Sequence, residues 1–254
     1  MLPEPITPSI PPSDSKKTLV QHLTELRACL IRSLIGLTVS MGICLFFSKN
    51  IFVLLQKPLL DVMPAGSSFI STSPLEALIT YLQVSLLAGV FLACPYLMYQ
   101  IWLFVAPGLL VHEKKMAMIF VFFASLFFVG GALFGYFFIF PVGFKFFVTV
   151  LEGTGIQFLP QMEDYLGFIS KMLLTFGLIF ELPLLIVGTA QVGLIKREML
   201  TKARRYVLVA IFLIAGILTP GPDVLSQFLL AIPLLGLYEL SIIAVWFLEK
   251  RKNA

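Results

Sequence analysis

Long uncharged apolar runs separated by short polar and often basic stretches set the pattern of this chain. The first runs from Ser33 to Phe47, the second from Ala77 to Val111 and the third from Met116 to Phe144. The fourth, from Met172 to about Ile195, is interrupted only by Glu181. The fifth spans Tyr206 to about Leu218, and the sixth, Val224 to Leu248, is interrupted only by Glu239. A hydrocarbon core of ~30 Å asks for ~20 residues of helix, and inside it every backbone group must be satisfied within its own segment. None of the runs shows the strict alternation of a barrel strand, so six helices are predicted.

Composition agrees with the pattern. Hydrophobic residues make up 59% of the 254, with 25 Phe and only 13% charged, too little polar surface to cover a soluble globule. The prediction is an all-α integral membrane protein with one membrane domain, residues 16–248. Residues 1–15, rich in Pro and Ser, read as a disordered tail without the basic start and apolar core of a cleavable signal, and residues 249–254 as a basic tail.

Charge orients the spans. Lys16, Lys17, Arg27 and Arg32 precede or open the first, and Lys114 and Lys115 separate the second and third. Lys196, Arg197, Lys202, Arg204 and Arg205 separate the fourth and fifth, and Lys250, Arg251 and Lys252 close the chain. These are fourteen of the 18 Lys and Arg, and the alternate loops hold only Lys49, Lys57, Lys145 and Lys171. Both termini are therefore expected in the cytoplasm. The net charge of +4 follows from this topology and does not indicate nucleic-acid binding.

The spans are unequal. The second would reach ~52 Å if straight, so it must tilt, bend at Pro95 or leave the membrane near Pro107, whereas the fifth offers ~20 Å. Spans five and six are expected to be short, leaving a recess, and the outer loops 48–74 and 141–171 are long enough to cap it.

Little of the chain suggests catalysis. Cys29, Cys44 and Cys94 have no metal or redox spacing, His112-Glu-Lys-Lys-Met lacks the second histidine of a zinc motif, and no nucleotide loop is present. No catalytic residue, metal or cofactor is expected. Carboxylates placed among cations are more telling. Glu25, on the flank of an amphipathic stretch whose stripe is Leu19, Leu23, Leu26 and Leu30, and Glu113, in the turn after span two, lie at the same membrane face among basic residues, as bait for a cationic ligand would. Their plainer readings are a solvated acid paired with a local arginine and a first-turn acid at a helix N-terminus. Trp102 reads as an interfacial anchor. Glu181 lies near the middle of span four, where a charge costs ~2.5 kcal/mol or more, and such acids face a cavity or a partner. A protonated carboxyl bonded within the chain is the alternative. Glu239, nearer the cytoplasmic end, is open to snorkelling. Asp223 reads as the N-cap of span six. Gly131-x-x-x-Gly135 is a single, weak helix-packing match.

Several separated motifs carry a resemblance. His22-Leu-x-Glu-Leu-Arg27, Lys57-Pro58-Leu, Tyr99-Gln-x-Trp-x-Phe-x-x-Pro-Gly-Leu109 and His112-Glu-Lys-Lys115 are followed by Phe176-Gly-x-x-Phe-Glu-x-Pro183. Thr219-Pro-x-Pro-Asp-x-x-Ser-Gln227 and Ala231-Ile-Pro-x-x-x-x-Tyr-Glu239 complete the series. Their order and spacing resemble the TatC family, the polytopic core of the twin-arginine protein translocase, from His22 to Glu239. Gly221 departs from the pattern and puts in doubt only the shape of that outer turn.

The resemblance implies a concave six-helix fold. Its cytoplasmic face would bind twin-arginine signal peptides of folded proteins exported at the expense of the membrane gradient. It implies recognition by Glu25 and Glu113, with Phe104 and Arg27 beside them. Glu181 and Glu239 would form an intramembrane polar site for single-span partners of the TatA and TatB type, and Pro58 and Asp223 a structural cap or outer turn. It also implies self-association in the complex and residence in a bacterial plasma (inner) membrane, with a thylakoid membrane as the alternative. The competing class is a secondary transporter or channel for small solutes, which predicts repeated halves with matching interruptions. No such self-similarity is visible.

Overall fold

The computed structural model describes residues 19–64, 68–105, 114–151, 159–191, 193–218 and 224–252. Among these, regular structure is helical apart from one isolated parallel bridge between Ile70 and Gln161. The helices are α1 (Leu19–Phe46), α2 (Ser48–Leu60), α3 (Pro74–Val105), α4 (Lys114–Phe134), α5 (Phe140–Leu151), α6 (Met162–Phe180), α7 (Leu182–Gln191), α8 (Arg197–Leu218) and α9 (Val224–Lys252). Five stretches are long and apolar enough to cross a membrane: Leu23–Phe46, Pro74–Phe104, Met118–Val150, Met162–Gln191 and Leu230–Arg251. In α8 the cations Arg197, Lys202, Arg204 and Arg205 fill the first turns, leaving Tyr206–Leu218 as its apolar length.

Several boundaries differ from those expected. The amphipathic stretch around Glu25 is continuous with the first span in the 28 residues of α1, because no Gly or Pro falls between Leu19 and Ser33. The 32-residue α3 passes through Pro95 without a break in helical assignment. Most of the loop expected over 141–171 is helix: α5 continues the third span and α6 starts at Met162, ten residues before its uncharged run, since Glu163 and Asp164 occupy the first turn where acids are favoured. The short sixth span is corrected to the 29-residue α9, which carries Pro233 internally.

Helices α4 and α5 are joined by a π-helical turn, Gly135–Ile139, in which Phe140 N–H reaches Gly135 O. The next residue, Pro141, has no N–H with which to continue the α ladder. Pro58, expected at a cap or outer turn, instead lies buried inside α2. Its missing N–H would strand the carbonyl of Leu54, and the Tyr136 hydroxyl donates to that oxygen at 2.6 Å. Tyr165 donates to Leu55 O at 2.8 Å, so α2 is fastened to the bundle through its own carbonyls.

Helix α4 meets α6 through glycine. A Cβ at Gly131 would stand 2.5 Å from Phe176 O, and one at Gly135 would stand 2.7 Å from the Phe176 ring, so the Gly131/Gly135 pair is a true close-packing face. Phe176 is almost wholly buried there. Gly193, at φ 83°, closes α7 with Gly193 N–H to Ala190 O and Leu194 N–H to Thr189 O, the pairing of a Schellman cap.

Candidate functional site

Two features define the end of the bundle where α1 begins. The first is the antiparallel pair α1–α3, in which Cys29 Sγ donates to Gln100 O at 3.2 Å, Gly36 faces the Tyr96 ring and Gly89 faces the backbone of Met41. Four residues back from Cys29 is Glu25, and four residues on from Gln100 is Phe104. At 1.5 Å per residue both lie about 6 Å beyond that contact, level with each other. Both are half-buried, and Arg27 is exposed on the same helix. Trp102, expected to anchor the interface, packs its ring on Phe120 of α4 with centroids 4.7 Å apart. Glu113 lies outside the described residues, immediately before α4 begins at Lys114.

The second feature is the ion pair Arg204–Glu239 at 2.6 Å, linking α8 to α9 with both side chains about half exposed. Glu239 is thereby neutralised by a cation one helix away, a partner that sequence spacing did not reveal. Nearby, Arg197 and Lys250 lie over the Trp246 ring, 5.8 and 5.7 Å from its centroid, and Arg197 N–H donates to Glu249. These contacts tie the basic α7–α8 turn to the end of α9.

Glu181 stands deeper, between α6 and α7. The helix breaks there because Pro183 follows, and Leu185 N–H recovers the Glu181 carbonyl at 2.9 Å. Its side chain is buried, with Cys94 of α3 close by, and Oε1 has no hydrogen-bond partner among the described residues. A buried acceptor left in this state costs about 1–3 kcal/mol. Asp223 lies outside the described residues. Of its motif, Gln227 is described, and it donates to Phe212 O at 2.7 Å across α8 and α9.

The carboxylate that sequence reading passed over is Glu76. Ser73-Pro74-Leu75-Glu76 is a capping box with proline at the first helical position. Glu76 Oε2 accepts from the backbone N–H groups of Thr72 (2.5 Å) and Ser73 (3.4 Å) and from the hydroxyls of Ser71 and Thr72 (3.2 Å each). Oε1 accepts from Glu163 N–H at 3.3 Å, in the first turn of α6, so one buried carboxylate caps two helices. The serine three residues ahead of the glutamate was the available signal.

The family model described as Sec-independent protein translocase protein (TatC) matches residues 21–233. The chain belongs to the TatC family. It is 45% identical to TatC of Desulforapulum autotrophicum over 95% of this chain and 88% of that protein. It is 34% identical to TatC of Escherichia coli over 90% and 88%. A crystal structure of the twin arginine translocase receptor TatC matches with a TM-score of 0.78 and 37% identity, covering 89% of this chain and 98% of the other. A second, in DDM, matches at 0.79 over 87% and 98%. As a TatC, the chain is a multi-pass membrane protein and a core component of the twin-arginine protein translocase, and its role is protein transport. The matched region includes Glu25, Phe104, Glu113 and Glu181 and stops before Glu239.

Proposed function

We propose that this chain receives twin-arginine signal peptides at the cytoplasmic end of α1 and α3, in a bacterial plasma membrane, with both termini cytoplasmic and α8 as a sixth, short span. The observation that supports this most directly is the levelling of Glu25 with Phe104, whose motif runs on to Leu109 and is followed by His112-Glu113. Two carboxylates suit two guanidinium groups, each a planar fork able to bond both oxygens of a carboxylate. An exposed ion pair is worth only ~0–1 kcal/mol, so selectivity needs partial desolvation, which half-burial of Glu25 and the ring of Phe104 favour. Arg27, exposed one residue beyond Leu26, would set the local charge that competes with the peptide.

Glu181 is the intramembrane position offered to TatA- and TatB-type single-span subunits, since its free oxygen can accept from a partner's polar side chain. Glu239 belongs to the same polar site and, in the resting chain, holds Arg204. The energy for export comes from the membrane gradient, and copies of the chain associate within the complex.

The test is binding of Arg-Arg and Lys-Lys versions of one signal peptide to the purified chain and to Glu25→Ala and Glu113→Ala. The Arg-Arg form should bind the parent more tightly, and the gap should narrow in both variants, more in Glu113→Ala. Equal affinity for the two peptides in the parent would refute the assignment.

A further inference from the structure

Helices α3 and α6 run parallel from the Glu76–Glu163 tie, and their register can be followed inward. Eighteen residues on from each tie residue, five full turns, are Cys94 and Glu181, which are neighbours. The same offset therefore holds along the interface. Seven residues on from the tie it brings Gln83 level with Ser170, about 10 Å inside, and it brings Thr80 level with Gly167. Glu76, Thr80, Gln83 and Cys94 form one stripe on α3 facing α6.

Three oxygens on this stretch lack a partner among the described residues although they are shielded from solvent: Thr80 Oγ1, Gln83 Oε1 and Ser170 Oγ. Thr80 is completely buried. Hydroxyls in apolar helices usually turn back onto the carbonyl four residues earlier, and Ser85, Ser125, Thr189, Thr201 and Ser241 all do so here. Thr80 and Ser170 do not. Space is present as well as polarity, because a Cβ on Gly167 would meet nothing within 4 Å.

We infer that the α3–α6 seam binds water at the level of Thr80, Gln83, Gly167 and Ser170, below the Glu76 clasp. Buried water occupies sites that offer two to four polar partners and room for a molecule, and this stretch offers three oxygens beside an unfilled glycine. The two hydroxyls donate to the water, and the Gln83 carbonyl accepts from it. The helices are thus paired through solvent in this half of the bundle, while Leu87 and Leu174, level with each other one turn further in, keep the site separate from Glu181.

The experiment is a thermodynamic cycle on the full-length chain in lipid nanodiscs. Gly167→Ala is measured in the parent and in a Thr80→Val/Gln83→Leu/Ser170→Ala background, with thermal unfolding as the readout. A methyl in the open position displaces the water and orphans three oxygens, so it should lower the unfolding temperature of the parent. In the apolar background the same change should raise it, as replacing glycine in a helix ordinarily does. Thr80→Ser, which keeps the hydroxyl, should retain the parent's response. If Gly167→Ala shifts stability equally in both backgrounds, in either direction, the seam is dry and the inference fails. A structure at a resolution that shows waters gives the direct reading: density within hydrogen-bonding distance of at least two of the three oxygens supports the site, and continuous protein contact there refutes it.

Discussion

Glu181 has a buried carboxylate whose Oε1 accepts from no group among the described residues, at the point where Pro183 breaks the fourth span. If a partner's polar group completes it, Glu181→Ala removes a charged hydrogen bond of about 1.5–3 kcal/mol, roughly a ten- to hundredfold loss of partner affinity. Export should fall accordingly while binding of an Arg-Arg signal peptide is unchanged, and Glu181→Gln, which keeps an acceptor, should be milder. Measured export per folded molecule that is unaffected in both variants would make Glu181 a structural acid only. This residue was legible in the sequence because a lone acid inside an apolar run is conspicuous. Glu76 was not, although its carboxylate is bonded more fully, because an acid near Ser and Thr at the edge of a span looks solvated until α6 is seen to share it. Arg204 and Glu239 lie 35 residues apart, and only the packing of α8 on α9 makes them a pair.

At the scale of elements, proline and glycine explain both what was legible and what was missed. Pro58 suggested a turn, and the structure keeps it in α2 because Tyr136, from the π-helical turn, supplies the donor that Pro58 withdraws from Leu54. Tyr136→Phe should therefore destabilise the chain by about 0.5–1.5 kcal/mol, the net worth of one hydrogen bond. In a Pro58→Ala background the helix supplies its own N–H, and the same Tyr136→Phe change should cost much less. A cost independent of residue 58 would mean that the ring, not the hydroxyl, holds α2. Gly131 and Gly135 were a weak pattern among 18 glycines, and only the approach of Phe176 to both distinguishes them. Gly131→Ala, with its methyl 2.5 Å from a backbone oxygen, should lower the unfolding temperature. Gly130→Ala, with nothing within 4 Å, should leave it level or raise it slightly.

For the molecule as a whole, the apolar runs predicted helices and their order well, because span length is dictated by the bilayer and not by tertiary contacts. Their ends were less legible: α1, α5 and α6 extend past the uncharged runs, since charged and amphipathic turns remain helical when they reach an interface or a neighbouring helix. Orientation rests on the fourteen of 18 Lys and Arg gathered in one set of connecting segments. The same end of the bundle carries Glu25, Phe104, Arg204 and the start of α8, so a single topology fixes both the charge bias and the proposed recognition site. With Cys29, Cys44 and Cys94 replaced, Ser68→Cys, on an exposed position before α3, should react in intact cells with a thiol reagent that does not cross the membrane. Lys202→Cys, on α8, should react only after the cells are opened. Labelling in the reverse sense would place Glu25 and Phe104 on the outer face, where a signal peptide arriving from the cytoplasm could not meet them. Labelling of both positions in intact cells would mean that α8 and its neighbours do not separate the two compartments as six spans require.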